Sequence, residues 1–104
     1  MVTDIEAVKE EARRYADEVR RQLPVEKAFL FGSYAKGTAD AMSDVDVCFF
    51  LRDYGGKARV DVGIRLLRIA RDFDAYFEPL VFETADIQRQ NPFVNEILRT
   101  GVEI

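Results

Sequence analysis

The stretch from Asp44 to Leu51, Asp-Val-Asp-Val-Cys-Phe-Phe-Leu, constrains the fold more than any other part of the chain. It begins in strict alternation and continues apolar, the pattern of a central strand whose start is open on one face. The preceding segment supplies a helix and a second strand. Ile5, Val8, Ala12, Tyr15, Ala16, Val19 and Leu23 recur at intervals of three and four, with Glu10, Glu11, Arg13, Arg14, Asp17 and Arg20 on the other face. Thr3 and Glu6 have the spacing of a capping box, and Pro24 excludes helical geometry at Leu23. Val25 to Phe31 ends in an apolar run short enough for a buried strand, and Gly32 closes it.

Beyond the central strand, Arg52-Asp53-Tyr54-Gly55-Gly56 is a turn. Residues 58–75 then carry a helical pattern, with Val60, Ile64, Leu67 and Ala70 as the expected core stripe and Leu66, Ile69 and Phe73 widening it. Residues 76–82 form a third strand, which Pro79 assigns to a sheet edge because proline supplies no ladder donor. Two short helices finish the chain. Thr84 is the expected cap of the first, Asn91-Pro92 opens the second, and Gly101 stands at its C-terminal end. The expected fold is α/β in the order α-β-α-β-α-β-α-α, a three-stranded mixed sheet flanked by helices. At 104 residues it is read as a single domain over 1–104.

Composition narrows the chemistry. With no histidine, there is no imidazole base, no Ser-His or Cys-His nucleophilic site and no histidine-bound zinc. The lone Cys48 excludes an intrachain disulfide and fits a reducing compartment. A net charge of −4 argues against affinity won by blanketing nucleic-acid phosphates. No window reaches the apolar length of a membrane span and the N-terminus has no signal-peptide pattern, so a cytoplasmic protein is expected.

Carboxylates, hydroxyls, lysine, backbone amides and a borrowed metal remain. Gly32-Ser33 follows a strand and precedes about one helical turn, Tyr34-Ala35-Lys36, where free amides and a hydroxyl can meet an anion; an ordinary turn has the same sequence. Asp44 and Asp46 are two apart on a strand and project to one face, about 7 Å apart along the chain, while Val45 and Val47 take the other. A hard divalent cation would reconcile the two charges, although a solvated strand end looks alike. Glu78 is an acid near the start of an otherwise apolar strand: an edge residue, an arginine partner or a ligand. If the first strand runs antiparallel to the second and the third parallel to it, these features meet at one end of the sheet. A phosphate cradle facing three carboxylates is what phosphoryl or nucleotidyl transfer requires.

Gly32-Ser33, ten intervening residues and Asp44-x-Asp46 resemble the signature of the DNA polymerase beta-like nucleotidyltransferase superfamily. The small size and the ending Asn-Pro-Phe-Val-Asn-Glu-Ile-Leu-Arg-Thr-Gly-Val-Glu-Ile resemble its minimal nucleotidyltransferases, the MntA-type antitoxins paired with HEPN-domain toxins in type VII-like systems. The resemblance implies a nucleotidyltransferase fold, with Gly32, Ser33 and Lys36 at the nucleotide phosphates and Asp44, Asp46 and Glu78 as metal-binding and catalytic carboxylates. Glutamate at 78 departs from the family's frequent aspartate, and Lys36 stands where relatives often carry arginine. It further implies two Mg²⁺ ions, ATP as substrate, and AMP transfer to a tyrosine hydroxyl of a HEPN toxin, with which the chain forms a hetero-oligomer. A masking antitoxin without catalysis and a small-molecule nucleotidyltransferase are the rival expectations. Arg65, Arg68 and Arg71, three apart, form either a solvated face or a basic stripe for a partner.

Overall fold

A computed structural model describes residues 5–37, 39 and 44–104. Helix α1 (Ile5–Gln22) leads into strand β1 (Val25–Phe31), the single turn α2 (Ser33–Lys36), strand β2 (Val45–Leu51), helix α3 (Arg59–Ala70) and strand β3 (Phe77–Glu83). A 3₁₀ helix (Thr84–Arg89), helix α4 (Pro92–Thr100) and the short strand β4 (Val102–Glu103) complete the chain. The expected capping residue Thr3 lies outside the described residues.

The sheet order is β3-β2-β1-β4. β2 is central, antiparallel to β1 and parallel to β3, and β3 is an edge strand in keeping with its proline. The sheet has four strands and not the expected three. β4 pairs antiparallel with β1 through Phe29↔Glu103 and Leu30↔Val102, and two residues are too short to show a period of alternation. Gly101 makes this return possible: a Cβ there would meet the Ile97 carbonyl oxygen at 2.5 Å and that of Leu30 at 3.2 Å. Its φ of −75° shows that it serves close approach and not a left-handed cap.

Alternation along β2 divides the interior. Val45, Val47, Phe49 and Leu51 face α1 and α3, while Cys48 and Phe50 face α4 with Phe29, Val94 and Ile97. Tyr15 anchors the first layer, its ring stacked on Phe77 at 4.5 Å and its hydroxyl donating to the Leu66 carbonyl at 2.8 Å. Burial raises the Tyr15 hydroxyl pKa, so it stays a donor. In the second layer, burial pushes the Cys48 thiol up to about 12, which leaves it unreactive.

Helix α3 departs from expectation in length and face. It ends at Ala70, and the residues it turns inward are Val62, Leu66, Ile69 and Ala70. Val60, Ile64 and Leu67, expected in the core, are 67%, 44% and 50% exposed. Two overlapping apolar stripes occupy this helix, and the one centred on Leu66 meets the sheet. The 3₁₀ helix is capped by Glu83 and not Thr84: Glu83 and Asp86 exchange side-chain and backbone hydrogen bonds, while the Thr84 hydroxyl donates to Leu51 O. Asn91 caps α4 as expected, accepting from the Phe93 and Val94 amides.

Candidate active site

The site lies where β1 ends and β2 and β3 begin. Asp46 follows buried Val45 and precedes buried Val47, so it is turned to the α4 face of the sheet. It has two register partners, Phe31 on β1 and Glu78 on β3. The Glu78 side chain lies within interaction range of the Asp46 carboxyl. Partial burial first, then hydrogen bonding with Glu78 and the charges of Glu78 and Asp44, push the Asp46 carboxyl up to about 6. Protonating Asp46 relieves a repulsion that a cation would also relieve.

Gly32 abuts this pair. Its φ is +71°, and a Cβ at this position would collide with the Asp46 carboxylate oxygen Oδ2. Glycine here provides both the left-handed backbone and the close approach. Ser33 opens α2 directly beyond it, so the expected phosphate turn and Asp46 are adjacent. Lys36 closes that turn, its amide donating to Gly32 O at 3.1 Å. The Lys36 ammonium lies in the field of Glu96 on α4, whose carboxyl is held down chiefly by its hydrogen bond from Arg99, with Lys36 adding to the effect.

Asp44 is exposed just before β2 and lines a depression with Glu78, Leu67, Arg71 and Tyr76. A neighbouring cavity of about 430 Å³ contains Asp46 and Glu78 between Phe31, Phe93, Leu67 and Leu80. Among the described residues no three His, Cys, Asp or Glu side chains are gathered into a set that would hold a metal unaided. The donor chemistry nevertheless fits Mg²⁺, which keeps several waters and takes one or two carboxylates together with substrate phosphates. Adjacent carboxylates beside an open cavity provide that partial set.

Two contributors carried little sequence signal. Phe93, 48% exposed, places its ring 6.1 Å from Phe31 and gives the cavity an aromatic wall. Glu11, on the polar face of α1, accepts from the Ala75 amide at 2.9 Å and the Asp74 amide at 3.3 Å, fixing the turn before β3. Tyr76 O then accepts from Val45 N at 2.8 Å, tying the starts of the two acidic strands together.

The family profile described as "Nucleotidyltransferase domain" matches residues 12–98, which span Gly32, Ser33, Lys36, Asp44, Asp46, Glu78 and Phe93. The chain belongs to the nucleotidyltransferase domain family. Its activity is accordingly nucleotidyl transfer. A Methanocaldococcus jannaschii protein named "putative protein adenylyltransferase" is 27% identical over 101 residues, covering 96% of this chain and 97% of its own length. Among solved structures, a "putative nucleotidyltransferase" from Sulfolobus solfataricus superposes with a TM-score of 0.60 at 22% identity, covering 77% of this chain and 70% of that one. A crystal structure described as a toxin-antitoxin with AMP-PNP gives a TM-score of 0.59 at 19% identity, covering 90% of this chain and 69% of that one. A mutant of the toxin-antitoxin MntA-HpeT gives 0.58 at 21%, covering 89% and 70%. The structural likenesses establish the nucleotidyltransferase fold.

Proposed function

We propose that this nucleotidyltransferase is an antitoxin that moves AMP from ATP to a tyrosine hydroxyl of a HEPN-domain toxin and thereby neutralises it in the cytoplasm. The observation that carries the reading is the Asp46–Glu78 pair, register partners on parallel strands, with Gly32 packed against the same Asp46 carboxylate. It is supported by the protein adenylyltransferase name of the M. jannaschii relative and by the toxin-antitoxin complexes among its structural neighbours, one with a nucleotide analogue.

In this reading Ser33 and the amides opening α2 receive the phosphates of ATP, and Phe93 offers a ring to the base. Lys36 contributes a point charge to the outer phosphates in competition with Glu96. Asp46 and Glu78, joined by Asp44 from the adjoining depression once phosphates complete the set, would hold Mg²⁺, which when bound offsets phosphate charge and helps align the attacking and leaving oxygens. Glu78, exposed at the edge strand, is placed to take the proton of the acceptor hydroxyl. The acceptor oxygen bonds to the α-phosphorus, the bond to the bridging oxygen breaks, and diphosphate leaves. Co-expression with the HEPN toxin tests the reading: the chain should restore growth, and Asp44→Asn with Asp46→Asn should not. Full protection by the double variant would favour masking without catalysis.

A further inference from the structure

Helix α3 turns Val60, Ile64 and Leu67 away from the core. They stand at i, i+4 and i+7, one stripe along the helix that Arg71, the residue capping its C-terminal end, continues. The stripe forms one wall of a groove of about 540 Å³ whose other wall is Pro79, Leu80 and Val81 on edge strand β3. At its lower end Leu67, Pro79 and Leu80 also line the cavity of Asp46 and Glu78. Arg71 joins Asp44 and Glu78 in the adjoining depression. The apolar groove therefore opens directly onto the carboxylates.

Charge identifies what the groove would accept. On α1, Arg13, Arg14, Arg20 and Arg21 each lie within 4 Å of an acid three residues earlier. On α3 that self-neutralisation is missing. Among the described residues Arg65 reaches Gln22 Oε1 at 3.1 Å and makes no ion pair, and the Arg68 side chain has neither an ion pair nor a side-chain hydrogen bond, whereas Arg71 lies in the depression with Asp44, Asp74 and Glu78. Arg65 and Arg68 share a depression with Ile64 of the stripe, together with Lys57 and Asp61, and this basic excess along one side of the groove complements apolar side chains flanked by carboxylates. An added β-strand is disfavoured, because Pro79 has no N–H and Arg59 Nε already donates to the Val81 carbonyl at 2.7 Å. A helix packing through side chains meets neither obstacle.

We infer that the α3–β3 groove is the docking site for the acceptor protein, occupied by an amphipathic helical segment of it that bears apolar anchors and flanking Asp or Glu residues. The inference rests on the proposed transfer to a protein and adds the surface that selects the acceptor. Docking here would deliver a hydroxyl to the Glu78 end of the groove and leave the Gly32–Ser33 end to ATP.

The test uses the full chain and the purified HEPN toxin, with calorimetric binding measured separately from AMP transfer. Val60→Asp with Ile64→Asp alters the groove far from the carboxylates. It should weaken toxin binding and raise the KM for toxin by about tenfold or more, with the KM for ATP unchanged. Arg68→Glu should weaken binding and reduce its sensitivity to salt, and exchanging a flanking toxin acid for arginine should restore it. Should the aspartate pair fail to fold, Arg68→Glu and its reversal decide the matter. Toxin binding equal to that of the unaltered chain in both variants overturns the docking site. So does a groove-dependent dimer of this chain whose dissociation leaves toxin affinity intact. Absence of AMP transfer by the unaltered chain overturns the proposed reaction, while the binding difference still decides the docking site. No toxin binding by the unaltered chain overturns both.

Discussion

Asp46 and Glu78 are register partners across the parallel β2–β3 ladder, and the nearness of Glu78 helps to raise the Asp46 carboxyl pKa. Two acids so placed, with Gly32 held against one of them, form a site organised around negative charge before any ligand arrives.

The raised Asp46 pKa predicts how the metal-free protein responds to pH. Its native carboxyl titrates near 6 against an ordinary 3.8, so the native state holds the proton more tightly than the unfolded chain. The resulting stabilisation is complete below the unfolded value and is lost as pH rises through the native one. Without divalent cations, the urea midpoint of the wild type relative to Asp46→Asn should therefore fall between pH 4 and pH 6. Parallel profiles for the two proteins would contradict this.

Gly32→Ala should disrupt the site more than a comparable change in a turn. Gly55 and Gly56 also have positive φ, but a Cβ on either meets nothing within 4 Å, so alanine there adds only backbone strain of about 1–2 kcal/mol. At Gly32 the φ of 71° and ψ of −146° lie in a region essentially reserved for glycine, and collision with Asp46 adds to that strain. Thermal unfolding and AMP transfer measured on Gly32→Ala and Gly55→Ala should show a larger stability loss in the first, and loss of activity only there.

Glu11→Ala should loosen the start of β3 from a distance. Removing two hydrogen bonds to a carboxylate whose side chain is only 16% exposed should cost about 1–3 kcal/mol. Amide exchange at Asp74 and Ala75 should speed up, and kcat should fall while the KM for ATP holds. Glu11→Gln, which retains an acceptor oxygen, should recover part of both.

Phe93→Ala should weaken nucleotide binding with little effect on folding, since the ring is half exposed. Loss of about 1 kcal/mol of stacking corresponds to roughly a fivefold rise in the KM for ATP. An unchanged KM would remove Phe93 from the nucleotide site.

The site was legible where chemistry left a pattern at short range. Asp44 and Asp46 are two apart where an otherwise apolar strand begins, Asp44 just before it and Asp46 within it, and Pro79 marks its own strand as an edge. Less legible were features set by tertiary contact. The apolar residues of α3 support two overlapping stripes, and only the sheet selects Leu66 over Leu67 for burial. Beyond its end at Ala70 the chain enters a turn whose Asp74 and Ala75 amides are held by Glu11 from another helix, and β4 exists because Gly101 lets the chain close on Leu30. Phe93 likewise looks like any apolar residue of α4 until the cavity wall is built.

Intact mass measurement of the HEPN toxin after incubation with this chain, ATP and Mg²⁺ tests the central claim most directly. The toxin should gain the mass of AMP with the wild-type chain and gain nothing with Asp46→Asn. An equal gain with Asp46→Asn, or no gain from the wild type with a toxin it binds, would contradict the catalytic role assigned to the Asp46–Glu78 pair.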